Sequence, residues 1–308
     1  MTTSGTSEDV RVPTPVPPDQ SARARSFGAA AADYHRARTG YTEDDVAWAL
    51  DLSDGRTAAR LRVLDLAAGT GRLTLALLAA GVGAGGAVGT AYAVEPDPGM
   101  RAEFARQVPP GLVRLHDGTA EAIPLPDASV DAVVVGSAFH WFDPSRALPE
   151  IARVLRPGGT LTALWTQPDE DVDWVRTYRR AARNALAAAT GQETEPEREP
   201  EPDRYAGQRH LDIPASPLFS DSERRQTVHL ETTTRADLAT AIGTYSDVLV
   251  ADPAGRRAAL LAVVAELDRL LPAGADAGPD PHRHAGPDPD AEPVQLPVRV
   301  RLARRRRL

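Results

Sequence analysis

Asp65 stands near the end of an apolar run and is followed by a stretch of small residues, Ala67-Ala68-Gly69-Thr70-Gly71. Glycine and alanine at a strand-to-helix turn let a ligand lie against the backbone, and the freed amides of the helix N-terminus then face that ligand. A carboxylate beside those amides suits a ligand that is cationic, or rich in hydroxyl and amino groups, better than a bare phosphate. Glu95 ends the next apolar run, Ala91-Tyr92-Ala93-Val94. One carboxylate there can accept both hydroxyls of a ribose, which is how nucleoside cofactors are commonly held. Ser137 follows a third apolar run, and open sheets bind ligands outside the carboxyl ends of such strands. His140-Trp141-Phe142 comes next, an aromatic wall with one group that titrates near neutrality.

The glycine loop has rival readings. A nicotinamide or flavin site wants Gly-x-Gly-x-x-Gly, and counting from Gly69 and Gly71 the third glycine falls on Thr74. A phosphate-cradling loop needs a following lysine, and the chain contains none. The same absence removes Schiff-base chemistry on lysine.

The elements that must hold these residues can be read from the apolar pattern. Strands are expected at 62–66, 90–95, 112–116, 131–136 and 160–165, alternating with helices at 71–80, 98–107 and 144–155. The strands are apolar throughout, as expected when helices cover both faces of a sheet. Pro157-Gly158-Gly159 reads as a helix stop and a turn into the fifth strand. Upstream, residues 1–20 are polar and proline-rich and are expected to be disordered. Residues 21–60 read as a helical lid. Its first helix, 21–38, carries Phe27 and Tyr34 two turns apart on one face, and a second runs from Glu43 to Leu50 with Thr42 as N-cap. Residues 61–166 form the ligand-binding core.

Residues 167–303 are expected to complete the sheet and to cap the substrate. They comprise a helix from Val172 to Ala189, a strand from Glu223 to Glu231, a helix opened by Thr234-x-x-Asp237, a helix from Gly255 to Leu271 and a half-exposed strand from Val294 to Leu302. Loops are expected at 190–207 and 272–293, and 304–308 reads as a frayed basic tail. The second loop holds His282 and His284, but two histidines without further nearby ligands do not make a metal site, and none is expected.

Taken together these stretches resemble the class I S-adenosylmethionine-dependent methyltransferases. The family's opening motif, Asp/Glu-x-Gly-x-Gly-x-Gly, stands here as Asp65, Ala67, Gly69 and Gly71, with alanine in place of one glycine at an expected small cost. The resemblance continues through Glu95-Pro96, Gly118-Thr119-Ala120-Glu121-Ala122-Ile123-Pro124, Asp131 to Phe142, and Arg153 to Gly159. It implies a doubly wound, Rossmann-like α/β fold: a seven-stranded sheet with an antiparallel last strand, supplied by Val294 to Leu302, and an N-terminal helical lid. It implies S-adenosylmethionine as cofactor, held by Asp65, Ala67, Gly69, Thr70, Gly71, Glu95, Pro96, Thr119, Ala120, Glu121 and Ser137, with Tyr34 and Arg38 reaching in from the lid. Where the family often has an acidic residue for the adenine this chain has Thr119, so that contact passes to Glu121 or to a backbone group. Phe27, His140, Trp141 and Trp165 would line the substrate pocket, and His140 is the candidate base; the alternative is that these aromatics simply pack. The DNA-amino signature Asn/Asp-Pro-Pro-Tyr/Phe is replaced by Gly136-Ser137-Ala138-Phe139, which leaves a small-molecule acceptor and a likeness to the bacterial group that includes trans-aconitate methyltransferases. A cofactor-binding protein without activity and a nicotinamide-dependent oxidoreductase remain as alternatives.

Composition narrows the classes further. A net charge of -8 over 308 residues argues against general nucleic-acid binding. The absence of cysteine excludes disulfides, thiol nucleophiles and cysteine-held clusters. No apolar run approaches the ~20 residues that span a bilayer, and the N-terminus lacks the basic start and apolar core of a signal peptide, so a cytoplasmic location is expected.

Overall fold

The computed structural model describes residues 28–52, 61–82, 90–191, 211–271 and 293–308. The expected 1–20 tail, Phe27, the loop at 192–207 and most of the loop at 272–293 lie outside them. The lid comprises a single 3-10 turn at Gly28–Ala30, α1 (Ala31–Ala37) and α2 (Glu43–Ala49). Thr42 caps α2 as expected: its hydroxyl accepts from the Asp45 amide while the Asp45 carboxylate accepts from the Thr42 amide. The core runs β1 (Arg62–Leu66), α3 (Arg72–Ala79), β2 (Thr90–Val94), α4 (Pro98–Gln107), β3 (Val113–His116), β4 (Val130–Gly136), α5 (Pro144–Val154) and β5 (Leu155–Pro168). Then follow α6 (Asp173–Ala189), β6 (Glu223–Thr234), α7 (Arg235–Gly243), α8 (Ser246–Val250), α9 (Pro253–Leu270) and β7 (Pro293–Arg306).

The seven strands form one sheet in the order β3-β2-β1-β4-β5-β7-β6. β1 to β5 are parallel, and β7 is antiparallel to both neighbours, entering between β5 and β6. The strand order reverses beside β1, so the ligand crevice of such a sheet opens at the carboxyl ends of β1 and β4. Successive side chains face opposite layers. Val63, Ala132, Val134 and Leu164 pack with Leu73, Leu77, Val175, Tyr178 and Leu238 on one side. Leu64, Val133, Val135 and Leu161 pack with Leu148, Ile151 and Phe219 on the other. Each such fully buried aliphatic side chain contributes about 1.5–3 kcal/mol, and because both faces of the central strands β1 and β4 are covered those strands show no polar alternation.

Two expectations are corrected here. Pro157-Gly158-Gly159 lies inside β5 rather than before it, in an irregular stretch: Val130 pairs with Leu155, Ala132 pairs next with Thr160, and Gly158 takes φ 76°. The basic residues 304–308 are not a frayed tail, because β7 runs through Arg306. Arg304 and Arg305 are 6% and 7% exposed. Arg304 lies over the Trp48 ring at 4.4 Å and pairs with the buried Asp51 at 3.0 Å and with Glu223. Arg305 donates to the carbonyls of Ile213 and Ser220. A run of four arginines looks solvated in a sequence; here the third dimension supplies buried acceptors and an aromatic ring.

Candidate functional site

A cavity of about 850 Å³ opens over the carboxyl ends of the parallel strands. β1 delivers Asp65 at its floor, 1% exposed. One carboxylate oxygen, Oδ2, accepts from the Thr74 hydroxyl at 2.6 Å, while Oδ1 is buried with no partner in the protein. Burial pushes the Asp65 carboxyl up to about 7, with the nearby Glu95 charge adding to the shift against the Thr74 hydrogen bond. An unmet buried carboxylate oxygen beside a cavity is a site for a donor that the protein does not itself supply.

The loop after β1 is bent back by three residues in left-handed backbone. Ala67, Gly69 and Gly71 have φ of 58°, 57° and 87°. A side chain on Gly69 would meet nothing within 4 Å, so the backbone there is open. Gly71 is different. It does not line the cavity, and a Cβ on it would sit 2.7 Å from Val108 and 3.0 Å from Phe104. Its glycine serves the packing of α4 rather than ligand contact. Ala67 carries a Cβ where the left-handed conformation disfavours one, so the exchange of glycine for alanine has a backbone cost beyond its change in size.

Glu95 leaves β2 and turns back on the loop: Oε2 accepts from the Gly69 amide at 2.8 Å and Oε1 from the Asp97 amide at 2.9 Å. Burial raises its pKa against these hydrogen bonds. Each oxygen keeps a second lone pair as an acceptor, and Glu95 lines the cavity with Pro96 and Asp97. Thr119, Ala120 and Glu121 line the next stretch, with Glu121 accepting from the Asp143 amide at 3.0 Å.

Beyond β4, Ser137 is held in left-handed backbone at φ 51°, its amide bonded to the Leu164 carbonyl at 2.7 Å. Its hydroxyl is shared with the Thr166 amide and with the phenol of Tyr41. Tyr41 is partly buried, and desolvation of its phenol pushes it well above the usual range, which makes it a donor and not a base. A side chain on Gly136 would meet the Tyr41 hydroxyl at 2.6 Å, so Gly136 is what lets the lid tyrosine close on the strand end. His140 and Trp141 lie in a short 3-10 turn, ring centroids 4.8 Å apart, and both line the cavity with Phe142 and Trp165.

Tyr34 and Arg38 also line the cavity from the lid. Arg38 donates to the Thr244 hydroxyl and carbonyl at 2.9 and 2.8 Å, and its guanidinium lies 4.0 Å from the Tyr245 ring centroid and 4.9 Å from that of Tyr34. His35 meets the Thr70 hydroxyl at 3.0 Å, and burial with the Arg72 charge lowers its pKa. Thus Asp65, Ala67, Gly69, Thr70, Glu95, Pro96, Thr119, Ala120, Glu121, Ser137, Tyr34, Arg38, His140, Trp141 and Trp165 converge on one cavity, and Gly71 stands behind it. The cavity also takes Gln167 and Arg179 from the far side of β5, and Tyr245 from the turn into α8. No local motif marks these three, because only tertiary packing of the cap brings them in. Among the described residues no cluster of three or more His, Cys, Asp or Glu could hold a metal ion, and no helix is long and apolar enough to cross a membrane.

The seven-stranded order with its antiparallel β7, the acidic strand ends and the glycine loop between them make up a Rossmann-like methyltransferase fold. Comparison with known proteins agrees: residues 64–163 match the family model described as a methyltransferase domain. An uncharacterised methyltransferase of Mycobacterium tuberculosis is 46% identical over 151 residues, which is 49% of this chain and 56% of that protein. One of Schizosaccharomyces pombe is 39% identical over 152 residues, again 49% of this chain and 56% of the other. The chain therefore spans about half the length of the curated relatives it matches. In overall fold it is similar to a structure from Anaeromyxobacter dehalogenans described as a candidate type II methyltransferase, with a TM-score of 0.54 at 22% identity, covering 87% of this chain and 97% of that one.

Proposed function

We propose that the protein transfers a methyl group from S-adenosylmethionine to a small organic acceptor. The observation that carries this reading is Asp65, a buried carboxylate with one oxygen unmet at the floor of the cavity. The cofactor, when bound, supplies a methyl group that is already electrophilic, so the protein's task is placement and the exclusion of water. Asp65 would receive the cationic amino group, which fits both its buried charge and its empty acceptor. Glu95 would take the ribose hydroxyls on the lone pairs left by the Gly69 and Asp97 amides. Thr119, Ala120 and Glu121 would edge the adenine. The open backbone at Gly69 and the left-handed Ala67 would let the ligand lie against the loop.

His140 and Trp141, following the fourth strand, would stand between cofactor and acceptor. If the acceptor is a hydroxyl, its proton must leave as the methyl arrives, and His140 could take it; a carboxylate or thioether acceptor needs no base. The cavity volume of about 850 Å³ supports a small acceptor, since sites for small molecules run from roughly 300 to 1,000 Å³.

Calorimetry with S-adenosylmethionine, S-adenosylhomocysteine and NAD tests the reading. The two sulfur cofactors should bind at one site per chain and NAD should not. Binding of NAD with none of either sulfur cofactor would sink the proposal.

A further inference from the structure

β6 is the outermost strand of the sheet, and its far edge pairs with no other strand among the described residues. It is long for such a position. Glu223 to Thr234 pair with β7 in unbroken register, with no bulge and no proline. Solvated edges are usually short, bulged or interrupted, because an open row of N–H and C=O groups invites a further strand. This edge also carries apolar surface: Val228 and Leu230, on one face, are 53% and 66% exposed. The other face, with Arg225, Thr227, His229 and Glu231, turns toward the lid. There the Thr227 hydroxyl donates to Asp45 at 2.7 Å, and Glu231 accepts from the Gly40 amide.

The strand is self-complementary about Val228. Arg225 and Glu231 stand three residues to either side of it, on one face. Arg225 is half-buried and has no hydrogen-bond or ion-pair partner among the described residues. Glu231 meets Arg72 at 3.6 Å, keeps acceptor capacity beyond that contact, and is 30% exposed along its side chain. Laid antiparallel along the edge with Val228 opposite Val228, a second copy brings Arg225 of each chain opposite Glu231 of the other, twice. Leu230 of each then lies diagonal to Val228 of the other, on the opposite face. Neighbouring registers lose this match. With Thr227 on the axis Glu223 faces Glu231, and with His229 on the axis Arg225 faces Thr233. Opposite charges directly across a strand pair stabilise it, and like charges there do the reverse.

We propose that this edge is an interface between two copies of the chain, in which β6 pairs antiparallel with β6 of the second copy about a two-fold axis at Val228. The sheet then continues from one copy into the other, and the contact closes on itself as a two-fold interface does. The two lids flank the seam on one face, while Val228 and Leu230 of both copies cover each other on the other face. None of these β6 residues lines the cavity, so the pairing stands apart from the methyltransferase reading.

Sedimentation of the unaltered full chain should give twice its 32.8 kDa mass. Arg225→Glu and Glu231→Arg each set like charges opposite one another at two places, and each should weaken the dimer about tenfold or more. Mixed in equal amounts, the two variants should pair with each other, because every position then meets the opposite charge. A melting curve checks each fold, and Arg225→Glu, which breaks no contact within its own chain, carries the test if Glu231→Arg disturbs the lid. The chain has no cysteine, so one introduced thiol reports the register. Directly opposite Cα atoms lie about 4.5–5.5 Å apart, a span that a disulfide bridges, so mild oxidation should join two Val228→Cys chains. Gln226→Cys, offset from its own mate along the strand, should stay unjoined. A chain that sediments as a monomer overturns the proposal, whether its edge is bare or covered by another part of the same chain. So does a dimer that ignores Arg225→Glu, or one that joins through Gln226→Cys as readily as through Val228→Cys.

Discussion

Asp65 gives the site its pH dependence. With its carboxyl pushed up to about 7 by burial, the folded protein holds a proton there that the unfolded chain, with an aspartate pKa of about 3.9, releases. The folded state therefore binds more protons between those values, and this residue's contribution to stability falls as pH rises from about 4 to 7. Binding of a cationic amino group requires the ionised form and so runs the other way. Affinity for S-adenosylmethionine should weaken about tenfold for each unit that pH falls below 7. Isothermal titration from pH 5.5 to 8 should show that slope in the native protein. Asp65→Asn should bind more weakly at neutral pH and lose the limb nearest neutrality; a slope that survives the substitution would assign it to another group. At Ala67 the issue is backbone strain. An alanine at φ 58° costs about 1–2 kcal/mol, and glycine returns about 0.5–1 kcal/mol of that in unfolded-chain entropy. Ala67→Gly should thus stabilise the protein by about 0.5–1 kcal/mol in urea unfolding, where a less stable variant would count against a strained loop.

β7 is the element on which sequence and structure differ most in consequence. It lies between β5 and β6 and extends through the arginines that a linear reading leaves as a tail. Arg304 and Arg306 both pair with Asp51, which is 7% exposed, at 3.0 and 2.7 Å. Ending the chain at Ala303 would take both of these guanidinium groups from that buried carboxylate, and removing one partner of a buried pair costs about 3–5 kcal/mol. The truncated protein should melt many degrees lower or fail to accumulate as a folded species, by circular dichroism. Native stability after losing five residues would mean that the arginines are solvated after all.

Across the whole molecule, Arg72 is where lid, core and cap meet. From the first turn of α3 it donates to the His35 carbonyl and, at 3.4 Å, to the Thr39 carbonyl, and it pairs with Glu231 of β6 at 3.6 Å. Glu231 in turn accepts from the Gly40 amide at 3.2 Å. That guanidinium is one of the ties on the lid, beside Arg38 on Thr244 and Arg304 on Trp48, and the lid brings Tyr34, Arg38 and Tyr41 to the cavity. Arg72→Ala should loosen that closure. Cofactor affinity should fall several-fold, and trypsin, which can cut this lysine-free chain only at arginine, should cleave sooner at Arg36 and Arg38. Unchanged affinity and protection would show that the lid is held by packing alone.

The parallel core was legible from the residues because its signals are local. An apolar strand buried on both faces, a left-handed glycine at the loop and a carboxylate at a strand end each depend on neighbours within a few positions. Asp65, Glu95 and Ser137 could be singled out for that reason. What the sequence could not show was set by contacts between distant segments. Gly71 reads as a ligand-contacting glycine, yet its space is taken by Val108 and Phe104. Arg304 and Arg305 read as solvated until Trp48, Asp51 and Ile213 fold against them. Arg179, Gln167 and Tyr245 belong to no motif, and they reach the cavity only because β7 inserts beside β5 and the cap helices close over it. Backbone conformation and strand burial are decided over short stretches of chain, whereas charge compensation and cavity walls are decided only once the sheet has assembled.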